Sequence, residues 1–245
     1  MQTAILGSGG GIPASARETA CLLVRAGDRG LLLDAGSGLR RLRDDPALLE
    51  GIDRVDVVLT HFHFDHVCGL PLLSWLPVEA LIWAPGRWLY DRPSADILAP
   101  LRRPPISPGD VTSTPVCELR EGVQEIGGFA VRACPQPRHW APSAGLRIGD
   151  ELAYVTDTPF EPSSIELARG VRTLFHEAWS SSAAPSHQEG DSTAADAARV
   201  AAEAGVGRLV LLHLNPDLAD HSALVDDARR TFVNVGLGED GGVYH

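Results

Sequence analysis

The segment THFHFDH, Thr60 to His66, places three histidines and an aspartate within six residues, directly after the apolar run Val55–Leu59. Imidazoles and a carboxylate brought this close repel one another when charged alike and are costly to desolvate unpaired. A divalent cation removes that cost. Nitrogen and oxygen donors without a thiolate suit zinc first, with iron or manganese as alternatives. In an extended segment His61, His63 and Asp65 project to one side, while Phe62 and Phe64 project to the other and anchor the loop in the core. His66 then turns inward at the start of a short helix, Val67–Leu70.

Further residues of ligand type follow other apolar runs. Asp157 follows LAYVT, His213 follows RLVLL, and His139 follows FAVRACPQPR after a short loop. Functional groups of α/β folds collect at the carboxyl ends of strands, and here four separate strands deliver ligand types to one such edge. Taken singly, His139, Asp157 and His213 read as ordinary loop residues; their positions at strand ends favour the metal reading. Asp34 in LLLDAG and Glu177 in FHEAW also close strands, and are candidates to fix imidazole tautomers from behind. Cys68 reads as a small apolar filler. GSGGG, Gly7 to Gly11, lacks the lysine and serine of a phosphate loop and reads as a tight turn. His221 and His245 read as surface residues, and Trp140 beside His139 either lines or covers the pocket.

The elements that must position these groups begin with short strands, Gln2–Leu6, Ala20–Ala26 and Gly30–Asp34, broken by glycine turns. A helix is expected over Ser37–Leu42, then a strand over Val55–Leu59 whose continuous β-branched content fits a sheet covered on both faces. Residues 71–115, rich in proline and tryptophan, read as loops and short elements over one face. Strands recur at Val116–Arg120, Val123–Ile126, Phe129–Cys134 and Leu152–Thr156. Helix and strand then alternate through Pro162–Ala168, Arg172–Phe175, Ser192–Ala204, Arg208–Leu212 and Ala223–Phe232, with Ser192 as N-cap and Gly205 as C-cap of the long helix. A single α/β domain over residues 1–245 is the simplest account.

The formal charge of −11 disfavours long polyanions such as tRNA as partners. Cys21, Cys68, Cys117 and Cys134 are dispersed and read as reduced thiols. No run approaches the roughly 18 apolar residues of a spanning helix, and no leader precedes the first strand. The expectation is a cytoplasmic protein without membrane attachment; a homodimer is left open.

Taken together, these residues resemble the metallo-β-lactamase superfamily, whose HxHxDH signature is matched by His61, His63, Asp65 and His66, with His139, Asp157 and His213 following in order. The likeness spans essentially the whole chain and implies an αββα sandwich. It further implies two metal ions, one taking His61, His63 and His139, the other Asp65, His66 and His213, with Asp157 bridging. Within the superfamily, FHEAW and EGDSTAADAARVAAEAGVGRLVLLH resemble the ribonuclease Z and cyclic phosphodiesterase branch. One position departs, because Asp191 stands where that branch carries a phosphate-contacting histidine paired with the glutamate matched by Glu177. An aspartate does not donate to a phosphate at neutral pH. There is also no room between His139 and Asp157 for the arm with which ribonuclease Z grips tRNA.

The resemblance therefore implies a dinuclear metal-dependent hydrolase, zinc being the first choice of ion and manganese or iron the alternatives. Its expected substrate is a small, cyclic phosphodiester, attacked by a metal-bridging hydroxide that Asp157 orients. His187, with Glu177 raising its pKa, is the first candidate to protonate the leaving group, and His176 the second. Two other readings are a carbonyl hydrolase acting on a lactone, thioester or lactam with the same metals, and a non-catalytic metal-binding relative.

Overall fold

The computed structural model describes residues 1–107, 113–183 and 190–245. Two mixed sheets of seven strands each stack face to face. The first holds β1 (Gln2–Gly7), β2 (Cys21–Ala26), β3 (Arg29–Leu33), β4 (Arg54–Val58), β5 (Glu79–Ala84) and β6 (Val116–Glu118) in that order, and β14 (Val243–Tyr244) returns to pair with β1. The second runs from β7 (Gly122–Ile126) through β8 (Phe129–Gln136), β9 (Ser143–Ile148), β10 (Leu152–Val155), β11 (Thr173–Glu177) and β12 (Arg208–Leu212) to β13 (Val235–Leu237). Both sheets begin with antiparallel neighbours and change to parallel ones, from β3 to β6 and from β10 to β13.

Strand patterning explains the layers. In β4 every residue after Arg54 is buried, as a strand covered on both faces requires. Its Val55 and Val57 join Leu32, Leu42 and Leu73 under the first outer helical layer, whereas Val58 faces inward. Ile5, Leu22, Leu31 and Val58 of the first sheet meet Leu146, Tyr154, Phe175 and Val210 of the second in a continuous central core. The other face of the second sheet packs on the helices Pro162–Ala168, Ala194–Ala204 and Ser222–Arg229. This is the αββα sandwich expected from the resemblance. Tight antiparallel turns start the second sheet: Gly127 and Gly128, both at positive φ, close the two-residue hairpin between β7 and β8.

Several expectations need correction. Residues 71–115 contain a true sheet member, β5, paired in parallel with both β4 and β6; its flanking prolines lie outside the ladder, where no amide is needed. Strands β9, β13 and β14 had no sequence expectation. In β9, Gly145 leaves room for Leu167 and Gln136 to approach. The segment over Ser37–Leu42 is a 3₁₀ turn, Ser37–Arg40, followed by the single α turn Arg41–Asp44. The long helix begins at Ala194, and its N-cap is Thr193, which forms a reciprocal capping box with Asp196. Ser192 is engaged elsewhere, its amide donating to Glu177 at 2.7 Å and its hydroxyl to the Thr158 carbonyl at 2.6 Å. Gly205 caps the other end in the left-handed region, as expected. Among the described residues no helix is long and apolar enough to cross a membrane.

Candidate metal centre

Parallel strands of both sheets deliver their carboxyl ends to one cleft. Asp34 closes β3, the THFHFDH loop follows β4, Asp157 follows β10, Glu177 ends β11, and His213 follows β12. His139 comes from the loop between β8 and β9. Three of these residues, Asp34, Asp157 and His213, sit in the left-handed region at φ 59°, 50° and 49°. Aspartate and histidine tolerate that conformation better than most residues, and such strain persists where the surroundings enforce it. Each chain turns sharply as it leaves its strand.

All seven side chains named from the sequence as ligands converge. Asp157 stands between two groups of them. Its Oδ1 lies 3.5 Å from His61 Nε2, 3.8 Å from His63 Nδ1 and 3.6 Å from His139 Nε2. Its Oδ2 lies 3.1 Å from His66 Nε2 and 3.4 Å from His213 Nε2. Asp65 Oδ2 completes the second group, 3.4 Å from His66 Nε2 and 3.1 Å from His213 Nε2.

The imidazoles are oriented from outside. His66 Nδ1 is 2.8 Å from Asp34 Oδ2, and His139 Nδ1 donates to the Gly190 carbonyl at 2.9 Å. His61 Nδ1 is 3.0 Å from the Thr60 hydroxyl, which itself donates to Asp34. With Nδ1 of His66 and of His139 occupied by an oxygen, Nε2 is the nitrogen that would present its lone pair to a cation in the cleft. His61 Nε2 is fully buried and, among the described residues, has no hydrogen-bond partner. A buried nitrogen left unsatisfied costs about 1–3 kcal/mol, which a cation would offset. The residues present therefore fit divalent cations held by nitrogen and oxygen donors.

Charge balance in the cleft is consistent with that fit. Burial pulls His61 down to about 4 despite Asp157. Burial also opposes the charged forms of His66 and His213, but Asp65 and Asp157 outweigh it, holding His66 well above its ordinary value and His213 at about 9. Conversely, burial pushes the Asp65 and Asp157 carboxyls up, and the facing imidazoles overcome it and hold both well below the usual range.

A second group of residues organises the first. Asp34, fully buried, accepts from the Thr60 amide and hydroxyl and from Tyr154 Oη at 3.0 Å, besides facing His66. Glu177, also fully buried, accepts from the amides of Asp157 and Ser192, and its Oε2 lies 3.8 Å from His213 Nδ1. Burial raises its carboxyl well above the ordinary value. Both residues were named from the sequence as tautomer-fixing candidates, and both lie behind imidazoles.

Two other expectations, for His176 and Phe64, do not hold. His176 lies outside the cluster. Phe175 enters the core between the sheets and Leu174 the helix-covered face, so His176 shares the side of Leu174, where Asp196 of the helix Ala194–Ala204 is the charge that bears on it. His187 lies outside the described residues. Phe64 does not anchor the loop: it is 68% exposed, because His63 caps the helical turn Phe64–Val67 and breaks the extended alternation. Asp65 reaches the cleft from within that turn, and Phe62 alone packs inward, edge-on to Tyr90.

The GSGGG loop does more than turn. The Gly11 amide donates to Asp65 Oδ2 at 2.7 Å, and a Cβ on Gly10 would lie 2.5 Å from His213 Cε1. Sequence reading also missed Tyr154 and Thr60; the only available signal was a polar residue interrupting an apolar strand or following one. Asp191 lies 3.6 Å from His139 Nδ1.

A family model described as the beta-lactamase superfamily domain matches residues 29–214. The chain belongs to that superfamily. Ribonuclease Z of Mycobacterium marinum is 32% identical over 88% of this chain and 87% of its own length. Ribonuclease Z of Prochlorococcus marinus is 28% identical over 98% of this chain and 96% of its own, in an alignment of 312 positions. As the present chain has 245 residues, that relative carries insertions this one lacks. Among solved structures, the metallo-β-lactamase fold protein YhfI of Bacillus subtilis superposes with a TM-score of 0.83 at 24% identity, over 99% of this chain and 98% of that one. The chain is thus a ribonuclease Z-like member of the β-lactamase superfamily and a metal-dependent hydrolase.

Proposed function

We propose that this hydrolase cleaves small phosphodiesters, cyclic ones foremost, with two divalent cations, zinc being the first choice. The observation that carries the reading is the Asp157 carboxylate, with Oδ1 turned to His61, His63 and His139, and Oδ2 to His66 and His213. One cation would be held by His61, His63 and His139, the other by Asp65, His66 and His213, with Asp157 shared. When bound, such a pair supplies a water of pKa lowered towards about 7 and charge stabilisation at the reacting phosphorus.

The chain's own contribution is positioning. Asp34 and the Gly190 carbonyl set the faces that His66 and His139 present. Glu177 accepts from the Asp157 amide and so fixes the backbone from which the shared carboxylate projects. Thr156 donates to Asp157 Oδ2 at 2.6 Å and steadies the same group.

A small substrate is favoured over tRNA by the net charge of −11 and by a connection of only six residues, 137–142, around His139. The test is turnover by metal-loaded protein. Bis(p-nitrophenyl) phosphate and 2′,3′-cyclic nucleotides should be hydrolysed, with loss of activity on chelation and in Asp157→Ala. Turnover confined to lactone or thioester probes would replace this reading with a carbonyl hydrolase, and efficient cleavage of precursor tRNA would overturn the choice of a small substrate.

A further inference from the structure

Among the described residues, the cluster reaches solvent at His63. The side chain of His63 is 35% exposed, whereas those of His61, His66, His139, His213 and Asp157 are buried. The ring of His139 stands 5.1 Å from that of His63, so these two histidines mark the mouth. Large exposed apolar side chains follow both of them in sequence, Phe64 after His63 and Trp140 after His139.

Trp140 is the more informative. Its ring lies nearly parallel to that of His139, at 20° and 5.8 Å between centroids, yet it is 70% exposed. Among the described residues, one face of the indole is thus turned to His139 and the other is open. The chain at Gly190 passes close beside both rings, since a Cβ there would lie 3.5 Å from Trp140 Cδ1 and 2.8 Å from His139 Nδ1. A large indole kept in water beside a polar cleft gains nothing from folding; a flat ligand that covers it recovers that burial.

We infer that Trp140 is a specificity-determining residue: its open face stacks on a planar aromatic group, a nucleobase in the first instance, of a substrate whose phosphodiester lies at the His63–His139 mouth. This rests on the phosphodiesterase reading and narrows its substrate class to nucleotides. Every base has a π-face, so the platform selects bases over bare sugars without choosing strongly among them. Trp140 touches no reacting atom, so its contribution is to substrate binding.

The experiment compares two cyclic phosphodiesters on metal-loaded protein, adenosine 2′,3′-cyclic phosphate and methyl riboside 2,3-cyclic phosphate, which lacks the base. Wild-type protein should show the lower KM for the adenosine compound. In Trp140→Ala that KM should rise about 10-fold with kcat little changed, the base-free compound should be unaffected, and Trp140→Phe should restore most of the preference. Equal effects of Trp140→Ala on both compounds, or none on either, overturn the inference while leaving the phosphodiesterase reading intact. If wild-type protein hydrolyses neither, that reading falls. Calorimetric binding of adenosine 3′-phosphate against methyl riboside 3-phosphate then tests the platform by itself: equal affinities in wild-type protein, or no loss of the adenosine preference in Trp140→Ala, overturn it.

Discussion

Asp34 and His66 form a fully enclosed polar pair at the site, with Oδ2 and Nδ1 2.8 Å apart and both side chains without solvent exposure. Asp34 also gathers Thr60 and Tyr154. The same carboxylate thus ties β3 to the loop after β4 in one sheet and to β10 in the other. It acts on the imidazole lone pair from the far side of the ring.

Asp34→Asn keeps the shape and tolerates the left-handed backbone at φ 59°, but it cannot accept from His66, Thr60 and Tyr154 together. Affinity for zinc should fall about 10–100-fold, as measured by competition with a chromogenic chelator. Unchanged affinity would show that the pair serves folding alone.

Gly10→Ala should disturb one side of the centre selectively. The added methyl would lie 2.5 Å from His213 Cε1, a distance the ring relieves by leaving its place beside Asp65 and Asp157. Elemental analysis should fall from about two ions towards one per chain, while Gly236→Ala, with nothing within 4 Å of its added Cβ, should keep both. Full occupancy in Gly10→Ala would mean that the loop yields more easily than the ring.

His176 supplies a test by pH. Burial pulls it down to about 4 from an ordinary value of 6.5, so between those values the unfolded chain carries a proton that the folded one does not. The part of the stability that His176 governs is complete above about pH 6.5 and falls with acidification at about 1.4 kcal/mol per pH unit until about pH 4. In His176→Leu this part of the slope should vanish from urea unfolding curves, with turnover at neutral pH retained. A folded variant that has lost turnover would return His176 to the chemistry.

Thr193→Ala removes the capping box of the helix Ala194–Ala204. The expected loss is about 1 kcal/mol, or about 2–4 °C in Tm for a chain of this size. Metal content should be unaffected, because the neighbouring Ser192, not Thr193, is bonded to Glu177. A fall in bound metal would show that the helix start and the centre are coupled more tightly than their hydrogen bonds imply.

Much of this architecture was legible along the chain, for identifiable reasons. Pro162–Ala168 and Arg208–Leu212 have the bounds that periodicity and flanking residues indicate. β5 was hidden because its prolines look like loop residues until they are seen to flank the ladder rather than enter it. The N-cap shifted from Ser192 to Thr193 because two adjacent hydroxyls compete for one role, and a local rule cannot register that Glu177 has claimed the first.

By itself the sequence named a candidate donor set, His61, His63, Asp65, His66, His139, Asp157 and His213, and placed its members after apolar runs, since residue type and apolar runs are local properties. Tertiary structure alone decided which Asp157 oxygen meets which imidazoles, that His176 turns to the helix side while Glu177 reaches the cleft, and that Trp140 stays open to solvent. Strand alternation says only that neighbours face opposite ways. Which way is settled by how two sheets and their covering helices exclude water, and that depends on contacts between residues more than a hundred positions apart.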